Sequence, residues 1–92
     1  MSVSVSDIAR EFSLTEEDLT NESLKAFLLE RLRLLEAERQ ARCAKFGVNT
    51  VKEMDQLLQQ GAVIEEDILE DFQEVDYLTT RIERVKVMIG EL

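Results

Sequence analysis

The residues with the most capacity for chemistry in this chain are carboxylates. Glu66, Glu70 and Glu74 recur every four positions, with Asp67 and Asp71 on the adjoining face. On a helix these oxygens would gather along one side, as binding of Mg²⁺ or Mn²⁺ requires. The same row also reads as a solvated acidic face opposite Arg39, Arg42 and Lys45, and that reading is preferred here. Other catalytic sets are missing. The chain contains no His, which removes Ser-His-Asp and Cys-His catalysis and the helical Glu-x-x-His sites of carboxylate-bridged metal bundles. Cys43 is the only cysteine, so neither an internal disulfide nor a cysteine zinc site within one chain can form. With no imidazole to activate it, Cys43 reads as a buried, inert thiol. No G-x-x-x-x-G-K-[ST], G-x-G-x-x-G or Asp-rich calcium loop occurs. No catalytic, cofactor-binding or metal residue is nominated, no cofactor is expected, and the chain is read as noncatalytic.

Size and charge narrow the partners. The 92 residues carry 11 Lys+Arg against 20 Asp+Glu, a formal charge of -9, and allow one small domain over residues 1–92 with a modest core. A polyanion is repelled by phosphate backbones and anionic lipid, so neither nucleic acid nor membrane is expected as a partner, whereas a small basic protein is. The basic stretch Arg31 to Lys45 has no interleaved aromatic for base stacking. No apolar run approaches the roughly 18 residues of a spanning helix, and no charged-then-apolar leader is seen. Together with the single cysteine this gives the expectation of a soluble, cytoplasmic protein.

These residues need elements to hold them, and the spacing predicts helices throughout. Pro is absent and Gly numbers only three. Gly47, Gly61 and Gly90 each sit where an apolar-periodic stretch stops, as helix C-caps would. Ser6 to Phe12, with the pair Ile8/Phe12, predicts a short first helix. A long helix follows from about Asn21 to Phe46, started by either Thr15 or Thr20-Asn21 and carrying Leu24, Phe27, Leu28, Leu32, Leu35 and Phe46 on helical spacing. Thr50 caps a short helix from Val51 to Gln60. The last helix runs from about Ile64 to Ile89, with Ile68, Val75, Ile82 and Ile89 seven apart and Leu78, Val85 and Leu92 at the complementary heptad position. Asp71 interrupts that second series, and Phe72 beside it can pack instead.

Two long helices joined by a short segment fold back as an antiparallel hairpin, and the charges agree. Residues 31 to 46 hold five bases and two acids, while residues 65 to 76 hold seven acids and no base. An antiparallel arrangement lays these stretches together, and at the other end it sets Glu22 and Glu30 against Arg81, Arg84 and Lys86. Leu29, Leu34, Leu69 and Val87 leave the seam and are taken as self-association contacts, with Ile8 and Phe12 as a possible partner clip. The expected fold is all-α: a capping segment at 1–19 and a helical hairpin at 20–92. Two such hairpins pair as a homodimer into a four-helix bundle.

Three stretches carry a resemblance. Ser6 to Leu19 (SDIAREFSLTEEDL), Glu22 to Leu28 (ESLKAFL) and Lys45 to Glu53 (KFGVNTVKE) make the chain similar to small uncharacterised prokaryotic helical proteins regarded as antitoxin-like partners in toxin–antitoxin operons. The resemblance implies an acidic, helical dimer that covers a small basic toxin with an amphipathic helix. It does not extend to a basic operator-reading segment, since residues 1 to 30 hold Arg10 and Lys25 against seven acids. The carboxylate row is also similar to those of all-α nucleotide pyrophosphatases that bind Mg²⁺ through helical Glu-x-x-Glu and Glu-x-x-Asp pairs. Here, however, Asp67-x-x-Glu70 and Asp71-x-x-Glu74 share one helix, and the long helix before them has no second pair. The readings are thus an interaction module with a small basic partner, a structural or adaptor homodimer, and a carboxylate-metal nucleotide hydrolase as the enzyme-class alternative.

Overall fold

The structure is a computed structural model that describes residues 2–92. It is all-α, with helices α1 (Val5–Glu11), α2 (Glu16–Ala44), α3 (Val51–Gln59) and α4 (Glu65–Gly90), and no strand among the described residues. Local chemistry sets most boundaries. Thr15 accepts from the Asp18 N–H at 3.0 Å, and Glu16, Glu17 and Asp18 fill the first turn of α2, where carboxylates meet the positive end of the helix dipole. Thr15 therefore starts the long helix, not Thr20-Asn21, and a boundary between residues 19 and 20 falls inside it. The first helix is capped by Ser4 rather than Ser6. Ser4 accepts from the Asp7 N–H and donates its own N–H to the Asp7 carboxylate, both at 3.1 Å. Ser6 has Ala9 three positions on and cannot close such a reciprocal box.

Three of the helix ends share one device. Val48 N–H donates to the Cys43 carbonyl and Gly47 N–H to Ala44, Ala62 N–H to Leu57 and Gly61 N–H to Leu58, and Leu14 N–H to Ala9 and Ser13 N–H to Arg10. These are Schellman caps, whose penultimate donor must adopt a left-handed backbone. Gly47 (φ 68°) and Gly61 (φ 66°) do so freely, while Ser13 does so at φ 56°. Gly90 differs from expectation. It is the last residue of α4 and has no positive φ.

α2 and α4 form the antiparallel hairpin. Arg39 donates to Thr79, Arg42 pairs with Asp71, and Leu28 and Leu35 line one groove with Arg81 and Met88. Of the predicted heptad seam, Ile68, Val75, Leu78, Ile82 and Val85 are buried. The core is thickest at the turn end, where α3 folds onto α4. There Cys43, Val48, Met54, Ile68 and Val75 are enclosed by Phe46, Val51, Leu57, Leu58, Val63 and Phe72. Phe72 thus packs beside the seam while Asp71 stays in it, buried. Beyond α3 the molecule is a ribbon of two helices. α1 packs on the start of α2 and α3 on α4 near the turn, and the whole chain extends over 60 × 29 × 16 Å.

Candidate interaction surface

The two halves of the charge argument fare differently. At the turn end, Arg42 Nη1 lies 2.9 Å and Lys45 Nζ 3.2 Å from Asp71 Oδ1, and Arg42 Nε is 3.8 Å from Glu38. Of the seven acids in residues 65–76, Asp71 is the one that ion-pairs with the α2 end among the described residues; Glu65, Glu66 and Asp67 fill the first turn of α4, where the helix dipole favours them. At the opposite end the expected cross-pairs are not formed. Glu30 instead takes two hydrogen bonds from Arg33 one turn along, at 2.9 and 2.6 Å, which hold its carboxyl below the ordinary range. A pair within one helix closes at less cost in side-chain order than one across the ribbon.

The carboxylate row does not gather. Glu66 and Glu70 are exposed, Glu74 is half-buried, and among the described residues no group of three or more His, Cys, Asp or Glu side chains is placed to hold a metal ion. Cys43 is fully buried, and burial pushes its thiol pKa up, away from the reactive thiolate. No helix among the described residues is long and apolar enough to cross a membrane.

What the surface does carry is apolar. A groove of about 450 Å³ runs along one flank of the hairpin, lined by Phe27, Leu28, Arg31, Leu34, Leu35 and Glu38 of α2 and Arg81, Val85 and Met88 of α4. Phe27 is 57% and Leu34 45% exposed. The Arg31 guanidinium lies 5.1 Å from the Phe27 ring centroid, a cation–π contact that holds both side chains on the rim. Exposed Tyr77, one turn before Arg81, extends the strip. A second apolar hollow, lined by Val5, Ile8, Leu19, Thr20, Ser23 and Leu24, lies where α1 packs on the start of α2.

The four residues expected at a self-association surface are all exposed, but they do not share one face. Leu29 and Leu34 are five positions apart, about 140° round the helix, and so flank the seam on opposite sides. Leu69 and Val87 share an azimuth on the back of α4, eighteen positions being five full turns. Leu34 alone of the four lines the groove. Phe27 and Met88 were missed because helical spacing assigns Phe27 to the seam, and only the helix pairing shows which flank stays open. Ile8 lines the second hollow, and Phe12, the C-cap of α1, is largely exposed.

A family model described as the uncharacterized protein MJ0235 family matches residues 1–92, and the chain belongs to that family. No curated protein and no solved structure matches it.

Proposed function

We propose that this MJ0235-family chain is a noncatalytic protein–protein interaction module that self-associates, two hairpins packing side by side into a four-helix bundle. The observation that carries this reading is the two-helix ribbon of α2 and α4 between α1 and α3, with Phe27, Leu34 and Tyr77 exposed along it. Helical domains bury their apolar stripes between packed layers, and along the groove neither α1 nor α3 supplies one. A second copy would supply it. The acidic start of α4 and the α1 hollow with Ile8 and Phe12 then remain free to receive a small basic protein in the cytoplasm. An antitoxin-like role, suggested by the resemblance above, is the sharpest form of this reading. Static light scattering on the eluting chromatographic peak tests it. The reading expects a mass near twice 10.6 kDa over a wide concentration range, and a persistent 10.6 kDa monomer would overturn it. For the antitoxin-like form, a small basic protein encoded beside this one should co-purify at fixed stoichiometry when co-expressed, and its failure to do so would remove that form alone.

A further inference from the structure

Self-association leaves open which flank is used, and the charges in the groove point to one. A two-fold interface is self-complementary, so a residue at one distance from the axis must meet its counterpart at the same distance on the other side. Arg31 and Glu38 are seven positions apart on the groove side of α2, with Leu34 and Leu35 at the midpoint, and both line the groove. Resting on the self-association reading, we infer that the groove centred on Leu34 receives the same groove of a second copy. The two-fold axis passes beside Leu34, so that Arg31 of each copy pairs with Glu38 of the other.

Four observations support this. Neither member of the pair is held by a close ion pair within the chain. Arg31 has no carboxylate within ion-pair distance among the described residues, and Glu38 has only a 3.8 Å approach from Arg42. Next, the charge of the lining is permissive. Two copies at -9 each repel over most of their surfaces, but the lining holds both signs, Arg31 and Arg81 with Glu38, so facing grooves can set opposite charges together and repel less than the acidic faces would. The lining is also apolar at its middle, since Phe27, Leu28, Leu34, Leu35, Val85 and Met88 form the floor and walls, giving an apolar centre with a charged rim. Finally, the opposite flank is already partly occupied, because α3 packs there against Ile68, Val75 and Phe72. Away from the groove, Leu29 of α2 and Leu69 and Val87 of α4 stay exposed.

The test uses the full chain and variants at exposed positions, so that folding can be verified by helical circular dichroism. Leu34→Arg should convert the dimer to monomer, whereas Leu29→Arg, on the other flank, should leave the dimer intact. Arg31→Glu and Glu38→Arg should each weaken dimerisation by at least about tenfold, and the double swap should restore it, which a merely structural role for either residue would not do. In a Cys43→Ala background, Leu34→Cys should form an intermolecular disulfide under mild oxidation. A wild-type dimer that survives Leu34→Arg, gains nothing from the double swap and fails to cross-link at position 34 would overturn this interface while leaving self-association standing. Loss of the dimer in Leu29→Arg instead would place the interface on the other flank. A monomeric wild type would overturn the self-association reading itself, and this inference with it.

Discussion

Replacing Asp71 with Asn keeps the shape of the side chain and removes its charge from the hairpin seam. The Asp71 side chain is 12% exposed and holds Arg42, at 28%, and Lys45, at 58%. A hydrogen bond from a charged donor to a largely buried carboxylate is worth about 1.5–3 kcal/mol. The well-solvated lysine adds about 0–1 kcal/mol. The substitution should therefore cost about 2 kcal/mol, against a total stability of about 5–14 kcal/mol for a chain of this length. Because a domain of this size shifts by about 4–8 °C per kcal/mol, Tm should fall by about 8–16 °C. Thermal and urea unfolding followed at 222 nm, at fixed protein concentration, reads both quantities. A double-mutant cycle refines the assignment: Asp71 and Arg42 should couple by at least about 1 kcal/mol, and Asp71 and Lys45 by less. Removing the whole cluster with Asp71→Leu and Arg42→Met restores an unbroken heptad seam and should bring stability back to within about 1 kcal/mol of the parent, since a buried ion pair barely offsets its own desolvation. A loss below about 0.5 kcal/mol for Asp71→Asn, or no coupling to Arg42, would refute the reasoning.

Other consequences are more local. At Gly47 an added Cβ meets nothing within 4 Å, so Gly47→Ala isolates the cost of the left-handed backbone, about 1 kcal/mol in urea unfolding. Ser13→Gly is the mirror case and should raise amide-exchange protection at Leu14, whose N–H closes that cap at 2.8 Å. Cys43 should stay unlabelled by iodoacetamide in the native state and react only as the chain unfolds, because the thiol is fully buried and its pKa raised by desolvation. The Asp7 carboxyl is held below its ordinary value, first by the Ser4 backbone N–H and then by the Ser4 side chain. The folded pKa being the lower one, its contribution to α1 is complete above about pH 4, the unfolded value, and is lost as pH falls through the folded one. An NMR titration should show Asp7 returning only part of the way toward the unperturbed value in Ser4→Ala, which removes the hydroxyl and keeps the backbone N–H.

How far the residues themselves foretold this fold depended on the range of the physics involved. Period-seven spacing identified the α4 seam, and the turn glycines at 47 and 61 marked the ends of α2 and α3, because both are decided within a few residues. Opposite charge in residues 31–46 and 65–76 correctly gave the antiparallel sense, yet the partner taken by each charge was not readable. Glu30 has Arg33 within its own helix, and a local pair competes well against one across the ribbon. The break in the heptad at Asp71 was visible, but not that Arg42 and Lys45 would reach it. The start of the first helix was missed because Ser4 and Ser6 look alike until the acid three positions later is considered. The groove needed the pairing register and the placement of α3 before one flank of α2 could be told from the other, which is why Leu29 and Leu34 look equivalent in the sequence and differ in the fold.

Small-angle X-ray scattering of the purified full chain tests self-association most directly, since it reads mass and shape together. Side-by-side pairing at the Leu34 groove predicts forward scattering equivalent to twice 10.6 kDa, with a longest dimension much nearer 60 Å than twice that length, as the second hairpin thickens the slab rather than lengthening it. A 10.6 kDa particle whose scattering curve fits that of one chain would contradict it.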